Sequence, residues 1–158
     1  MIEVEVTDEM LNRAKQKSAE VGTIRNSITR GRGNLAGFLG EEIALKVLGG
    51  SVDDTYNYDI RLDDGSTVDV KTKPSSGKPL PHYACSVTKK KTMQDCDYYA
   101  FVRVCKYTYS KGWFLGIISK DDFLKKAVHK KKGEADGDNG FTFSADCYNL
   151  AISELEAV

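Results

Sequence analysis

Long apolar runs are missing from this sequence. None approaches the roughly 20 residues that span a bilayer, so neither a transmembrane helix nor a membrane partner is expected. Proline is scarce: the 158 residues hold three, all between Pro74 and Pro81. Histidine is scarcer, with two. His82 and His129 stand at no catalytic spacing to a partner, which disfavours histidine-based proton transfer. The four cysteines, at 85, 96, 105 and 147, form no C-x-x-C pair. That spacing is poor for zinc and for iron–sulfur clusters, and the thiols are expected to be reduced and structural. The first ten residues, MIEVEVTDEM, are acidic and lack the apolar core of a secretory signal. A cytoplasmic location is the expectation.

Net charge is also absent, but only on average, since 23 Lys and Arg balance 23 Asp and Glu. Residues 11–33 hold Arg13, Lys15, Lys17, Arg25, Arg30 and Arg32 against one acid, Glu20. Residues 53–69 hold six aspartates and only Arg61. Residues 70–94 hold six lysines and no acid. Two basic segments thus flank an acidic one. Basic stretches suit a phosphate backbone, and clustered aspartates suit a hard divalent cation. Solvated surface charge would give the same pattern.

The length fits one domain, with an N-terminal helix and basic loop (1–33), a core (34–128) and a loop and tail (129–158). Met10, Leu11 and Ala14 predict a helix over 8–20. A second helix is predicted from Asn34 to Leu48, stopped by Gly49-Gly50. The period then becomes two. Tyr58, Ile60 and Leu62 alternate, Asp64-Gly65 signals a hairpin, and Thr67 to Lys73 returns. Pro74 to Pro81 reads as a loop. A strand follows over about 82–87, then a short helix or turn over 88–94. The runs YYAFVRVC (98–105) and GWFLGII (112–118) read as paired central strands. Ser119-Lys120-Asp121-Asp122 caps a helix reaching about Val128, with Phe123, Leu124, Ala127 and Val128 inward. Residues 130–140 read as a loop, and Tyr148, Leu150 and Ile152 alternate like a strand. Trp113 and most of the eight tyrosines are expected in the core. The class is α/β, a mixed central sheet flanked by helices.

Side chains alternate along Thr67-Val68-Asp69-Val70-Lys71-Thr72-Lys73, so Asp69, Lys71 and Lys73 share one face and Val68 and Val70 the other. Asp59 lies on the preceding hairpin strand. Two aspartates on adjacent strands can hold one divalent metal, with the Val70 carbonyl as a third oxygen. An ordinary cross-strand ion pair is the alternative. Glu41 shares a helix side with Gly37, Ala44, Leu45 and Leu48, which points it at the sheet, where a lone carboxylate is costly. Glu42 precedes Lys46 by four residues and reads as an exposed pair.

The series Gly37-x-x-Gly40-Glu41-x-x-Ala44, Tyr58-Asp59-Ile60 and Val68-Asp69-Val70-Lys71-Thr72-Lys73 resembles the PD-(D/E)XK nuclease superfamily over about residues 35–118. Tyr58 stands where the family name has proline, and Asp69-Val70-Lys71 matches the second element directly. The resemblance implies a restriction-endonuclease-like fold and a Mg²⁺-dependent endodeoxyribonuclease, with Mn²⁺ as a substitute. It implies Asp59 and Asp69 as metal ligands, Glu41 supporting the site directly or through water, and Lys71 orienting or deprotonating the attacking water. The implied products carry a 5′-phosphate and a 3′-hydroxyl.

Lys73, Arg30 and Arg32, and the run Lys89-Lys90-Lys91 are the candidate DNA contacts. One site cuts one strand, so duplex cleavage would favour a homodimer. Two other functions fit the same residues in part: a catalytically idle DNA-binding or assembly protein, and an RNA-directed nuclease.

Overall fold

The computed structural model describes residues 1–21, 34–53, 55–135 and 141–158. In chain order the elements are β1 (Ile2–Glu5), α1 (Asp8–Val21), α2 (Asn34–Leu48), β2 (Ser51–Val52), β3 (Ile60–Arg61), β4 (Thr67–Ser75), β5 (Ala84–Thr88), a 3-10 turn (Lys89–Met93), β6 (Tyr98–Cys105), β7 (Lys111–Ser119), α3 (Lys120–Lys126), β8 (Val128–Lys130) and β9 (Cys147–Ala151). The class is mixed α/β, as expected. No helix among the described residues is long and apolar enough to cross a membrane.

Six strands form the main sheet in the order β1-β7-β6-β4-β3-β2. Only β4 and β6 run parallel; the other neighbours are antiparallel. Alternation along β4, β6 and β7 splits the core in two. Val68, Ala100, Val102, Val104 and Phe114 pack with Leu39, Ile43 and Ala44 of α2 and with Met10 and Ala14 of α1. On the opposite face Tyr99, Phe101, Trp113, Leu115 and Ile118 pack against Phe123 of α3 and against Cys85, Val87 and Leu150 of a second sheet, β5-β9-β8. Tyr99, Phe101 and Phe123 pack in tilted and edge-on pairs at 5.3–6.4 Å between ring centroids. All four cysteines are free.

Several boundaries differ from the sequence reading. The acidic N-terminus is a strand: Val4 is buried, and Ile2 to Glu5 pair with Phe114 to Lys111 of β7. Trp113 is in the core, and its indole N–H donates to Glu3 at 2.9 Å. β4 runs on through Pro74, opposite Val104. This is possible because β3 pairs only with Thr67 and Val68, which leaves the far side of β4 without a strand partner among the described residues, and an edge tolerates proline. α3 stops at Lys126, and Val128 is exposed in β8 rather than inward.

The approach of α2 to the sheet depends on Gly40. A Cβ there would lie 2.8 Å from both Cβ and Cγ2 of Thr72 in β4. Gly40→Ala should therefore destabilise by about 1–3 kcal/mol, the usual range for overpacking. Thermal denaturation checks this, and Thr72→Ala in the same chain should recover part of the loss.

Candidate active site

Asp69 is 3% exposed. It lies beside Tyr99 of β6 on the face away from α2. A carboxylate is tolerated there because the Lys71 ammonium, two residues on along the same face, pairs with its Oδ2. Burial still holds the Asp69 carboxyl above its ordinary value, opposed first by Lys71 and then by Lys91 and Lys120. The pair therefore lies within one strand in a buried layer, not across strands on an exposed face.

Asp59 sits at the end of β3's pairing with β4. Its N–H donates to the Val68 carbonyl at 3.0 Å, and its Oδ2 accepts the Val70 N–H at 2.7 Å. The carboxylate thus takes the place on the β4 edge that a continued β3 would have filled. In the plane of the sheet it is open to influence from both faces: Lys71 and Lys17 both act on it. Burial, and next the charge of Asp69, push its carboxyl up to about 6; the Val70 N–H and the two lysines act the other way.

Glu41 meets Lys17 of α1, with Lys17 Nζ 2.7 Å from Glu41 Oε2 and 4.7 Å from the Phe38 ring centroid. Glu42 does not pair with Lys46. It takes a bidentate contact from Arg13, at 2.7–3.1 Å, while Lys46 reaches the Glu5 carbonyl. Both glutamates therefore line one groove of about 260 Å³ between α1 and α2. Glu42 is therefore not an exposed residue paired along its own helix, because α1 covers that flank of α2.

Two residues of this constellation went unmarked in the sequence. Lys17 carried a signal: it continues the buried stripe Met10-Ala14 at helical spacing, an odd place for a solvated lysine. Gln94 carried none. It is buried; its side-chain carbonyl accepts from Lys71 Nζ at 3.3 Å, and its amide donates to the Tyr56 carbonyl. Asp95 N–H donates to Asn57 at 3.1 Å. Gln94 thus ties Lys71 to the loop that delivers Asp59.

Lys73 donates to Ser86 Oγ of β5 at 2.6 Å. Lys89, Lys90 and Lys91 are exposed on the 3-10 turn. Lys91 is 5.5 Å from the Tyr56 ring centroid and acts on Asp69, so the run is nearer the acids than the sequence implies. Arg30 and Arg32 lie outside the described residues. His129 does have neighbours: it stacks on Tyr148 at 5.0 Å and lies 3.9 Å from Asp146. His82 is exposed and packs edge-on against Tyr83.

Chemically, the arrangement offers one buried carboxylate, Asp69, whose charge acts on a half-buried one, Asp59, with an ammonium beside Asp69. A divalent cation between the two carboxylates would relieve their repulsion. Among the described residues no three His, Cys, Asp or Glu side chains converge on one point. A cation at Asp59 and Asp69 would need a backbone oxygen, such as that of Val70, and water to complete its shell. Compared with known proteins, the chain matches no family model and no curated relative.

Proposed function

We propose that this protein is a Mg²⁺-dependent endodeoxyribonuclease of the PD-(D/E)XK type, leaving 5′-phosphate and 3′-hydroxyl ends. The observation that carries the reading is Asp59. A half-buried carboxylate inserted at a strand edge, pushed up to about 6 by burial and by the charge of the buried Asp69, is poorly suited to a purely structural role. Asp59 and Asp69 would hold the Mg²⁺, or Mn²⁺ in its place, and the cation would supply Lewis acidity at the phosphate and toward the attacking water. Asp69 and Gln94 fix the Lys71 ammonium in place, and Lys71 stabilises the charge that develops on the phosphoryl oxygens as water attacks phosphorus. The bond to the 3′ oxygen breaks and that oxygen takes up a proton. Glu41 acts at one remove, by holding Lys17 against the far side of Asp59. Two copies, one per strand, would cut a duplex.

Plasmid, linear duplex, single-stranded, flap and four-way-junction DNA, each with Mg²⁺, Mn²⁺ or EDTA, test this reading. Cleavage should need the metal, and robust cutting in EDTA overturns it. The phosphate contacts have their own readout. Lys89→Ala with Lys90→Ala should weaken metal-free binding to every sequence alike. It should also flatten log K against log salt by about 1.8, since each phosphate contact contributes about 0.9 on duplex DNA. Lys91 is left in place because it also acts on Asp69.

A further inference from the structure

Tyr56 is not in the core. It is 65% exposed, on the chain between β2 and Asp59. Single exposed aromatics are ordinary on a protein surface, so its setting has to carry the argument. Its backbone is held in place. The Tyr56 carbonyl accepts from the side-chain amide of the buried Gln94, whose own carbonyl accepts from Lys71. Thr55 Oγ1 accepts the Asn57 and Tyr58 N–H groups at 3.1 and 3.0 Å, and the Asn57 side chain accepts the Asp95 N–H. The main chain under the ring is thus tied to the turn that follows β5, while the ring is left to solvent. A cation stands beside it: Lys91 Nζ, from that turn, is 5.5 Å from the ring centroid. Lys89 and Lys90 are exposed on the same turn. The place is the candidate active site, since Lys91 also acts on Asp69 and Asp59 follows in the same loop. Tyr107 is the contrast. It too is exposed with a lysine near its ring, but that lysine is its sequence neighbour Lys106. It also lies beyond the end of β6 that is remote from the Asp69–Tyr99 rung.

We infer that Tyr56 is a stacking platform for an unpaired nucleobase of the DNA strand that enters the candidate active site. A flat aromatic ring beside a turn carrying three lysines, in a stretch (70–94) without an acid, fits a ligand that is itself both flat and anionic. Every nucleobase offers a π-face, and stacking on an aromatic side chain is sequence-tolerant. Inside a duplex those faces are covered by the neighbouring bases, so only an unstacked base reaches the ring. Lys91 does not close the platform, because a ring covered on both faces could not keep this exposure. Lys89 and Lys90 attract the phosphates on either side of that base. The placement at the cut rests on the nuclease reading and narrows it. The substrate carries a single-stranded stretch at the cut, as a flap, an open junction or a free single strand does.

Metal-free binding tests this. A short oligothymidylate should bind Tyr56→Ala about five- to a hundredfold more weakly than the wild type, the worth of one stacked base. Tyr56→Phe keeps the flat ring and should keep most of the affinity. A plain duplex of the same length offers no free base and should bind all three proteins alike, which also shows that the alanine variant is folded. Tyr56→Trp gives a direct reading of stacking. The native Trp113 is buried, so the indole placed at 56 is the exposed one. The oligothymidylate should quench its fluorescence and the duplex should not. No binding of the oligothymidylate by the wild type, an affinity that Tyr56→Ala leaves unchanged, or an equal loss for single strand and duplex overturns the platform. An oligouridylate that binds more tightly, with the Tyr56→Ala loss confined to it, overturns DNA as the occupant. None of these readings depends on cleavage. Stacking at Tyr56 in a protein that cuts no DNA with Mg²⁺ would sink the nuclease reading and leave the platform standing. Metal-dependent cutting with no role for Tyr56 in binding would do the reverse.

Discussion

Lys71→Ala should lower the single-turnover cleavage rate with Mg²⁺ about 10²–10³-fold, the usual loss for one transition-state stabiliser, while metal-free DNA affinity stays within a few-fold. The substitution also removes the only cation among the described residues that pairs directly with Asp69, which is buried. Breaking a buried pair from one side typically destabilises by about 3–5 kcal/mol, so the variant should unfold earlier in denaturant. The two effects separate in a second variant. Asp69→Asn added to Lys71→Ala removes the stranded charge, so it should restore much of the stability and none of the cleavage. A Lys71→Ala protein that cuts at the wild-type rate would end the assignment of Lys71.

Asp59→Asn should make the metal-free protein more stable and the enzyme inactive. In the unfolded chain Asp59 titrates near its ordinary 3.8, and in the folded protein at about 6. Between those values the folded state binds the extra proton. Stability therefore falls as pH rises through this window and stays reduced above it. Asparagine keeps an acceptor for the Val70 N–H and carries no charge. The variant should gain about 1–3 kcal/mol at pH 7.5, and the gain should vanish near pH 4. Mg²⁺ should stabilise the wild type at pH 7.5 and leave Asp59→Asn unmoved. Paired melts at the two pH values, with and without Mg²⁺, read all of this. No gain at pH 7.5 would mean that Asp59 is not the strained carboxylate described above.

Much of this was legible because it depends on period. Alternation from Val68 to Lys73 places Asp69, Lys71 and Lys73 on one face, and the apolar runs at 98–105 and 112–118 mark the strands that back them. Other features depend on what lies opposite, which one segment does not reveal. Glu42 reads as a partner of Lys46 until α1 brings Arg13 alongside. Gln94 is unremarkable until its turn folds over Lys71. Pro74 reads as a stop because proline cannot donate, yet β4 needs no donor on an edge that has no strand partner there among the described residues. The strand β1 was within reach: Ile2, Val4 and Val6 alternate, and the acidic residues between them masked the signal.

The pairing of β1 with β7 bears on how the molecule assembles. Residues 2–5 must wait for residues 111–114, so the outer edge of the sheet closes across more of the chain than any other strand pair. Loops of that length close late. The sole tryptophan, Trp113, sits in that rung, with its indole bonded to Glu3. The molecule thus carries its own optical reporter of the final docking step. In refolding experiments, tryptophan fluorescence should lag behind the far-ultraviolet signal of the helices. Glu3→Ala should weaken that last phase and leave the earlier ones unchanged.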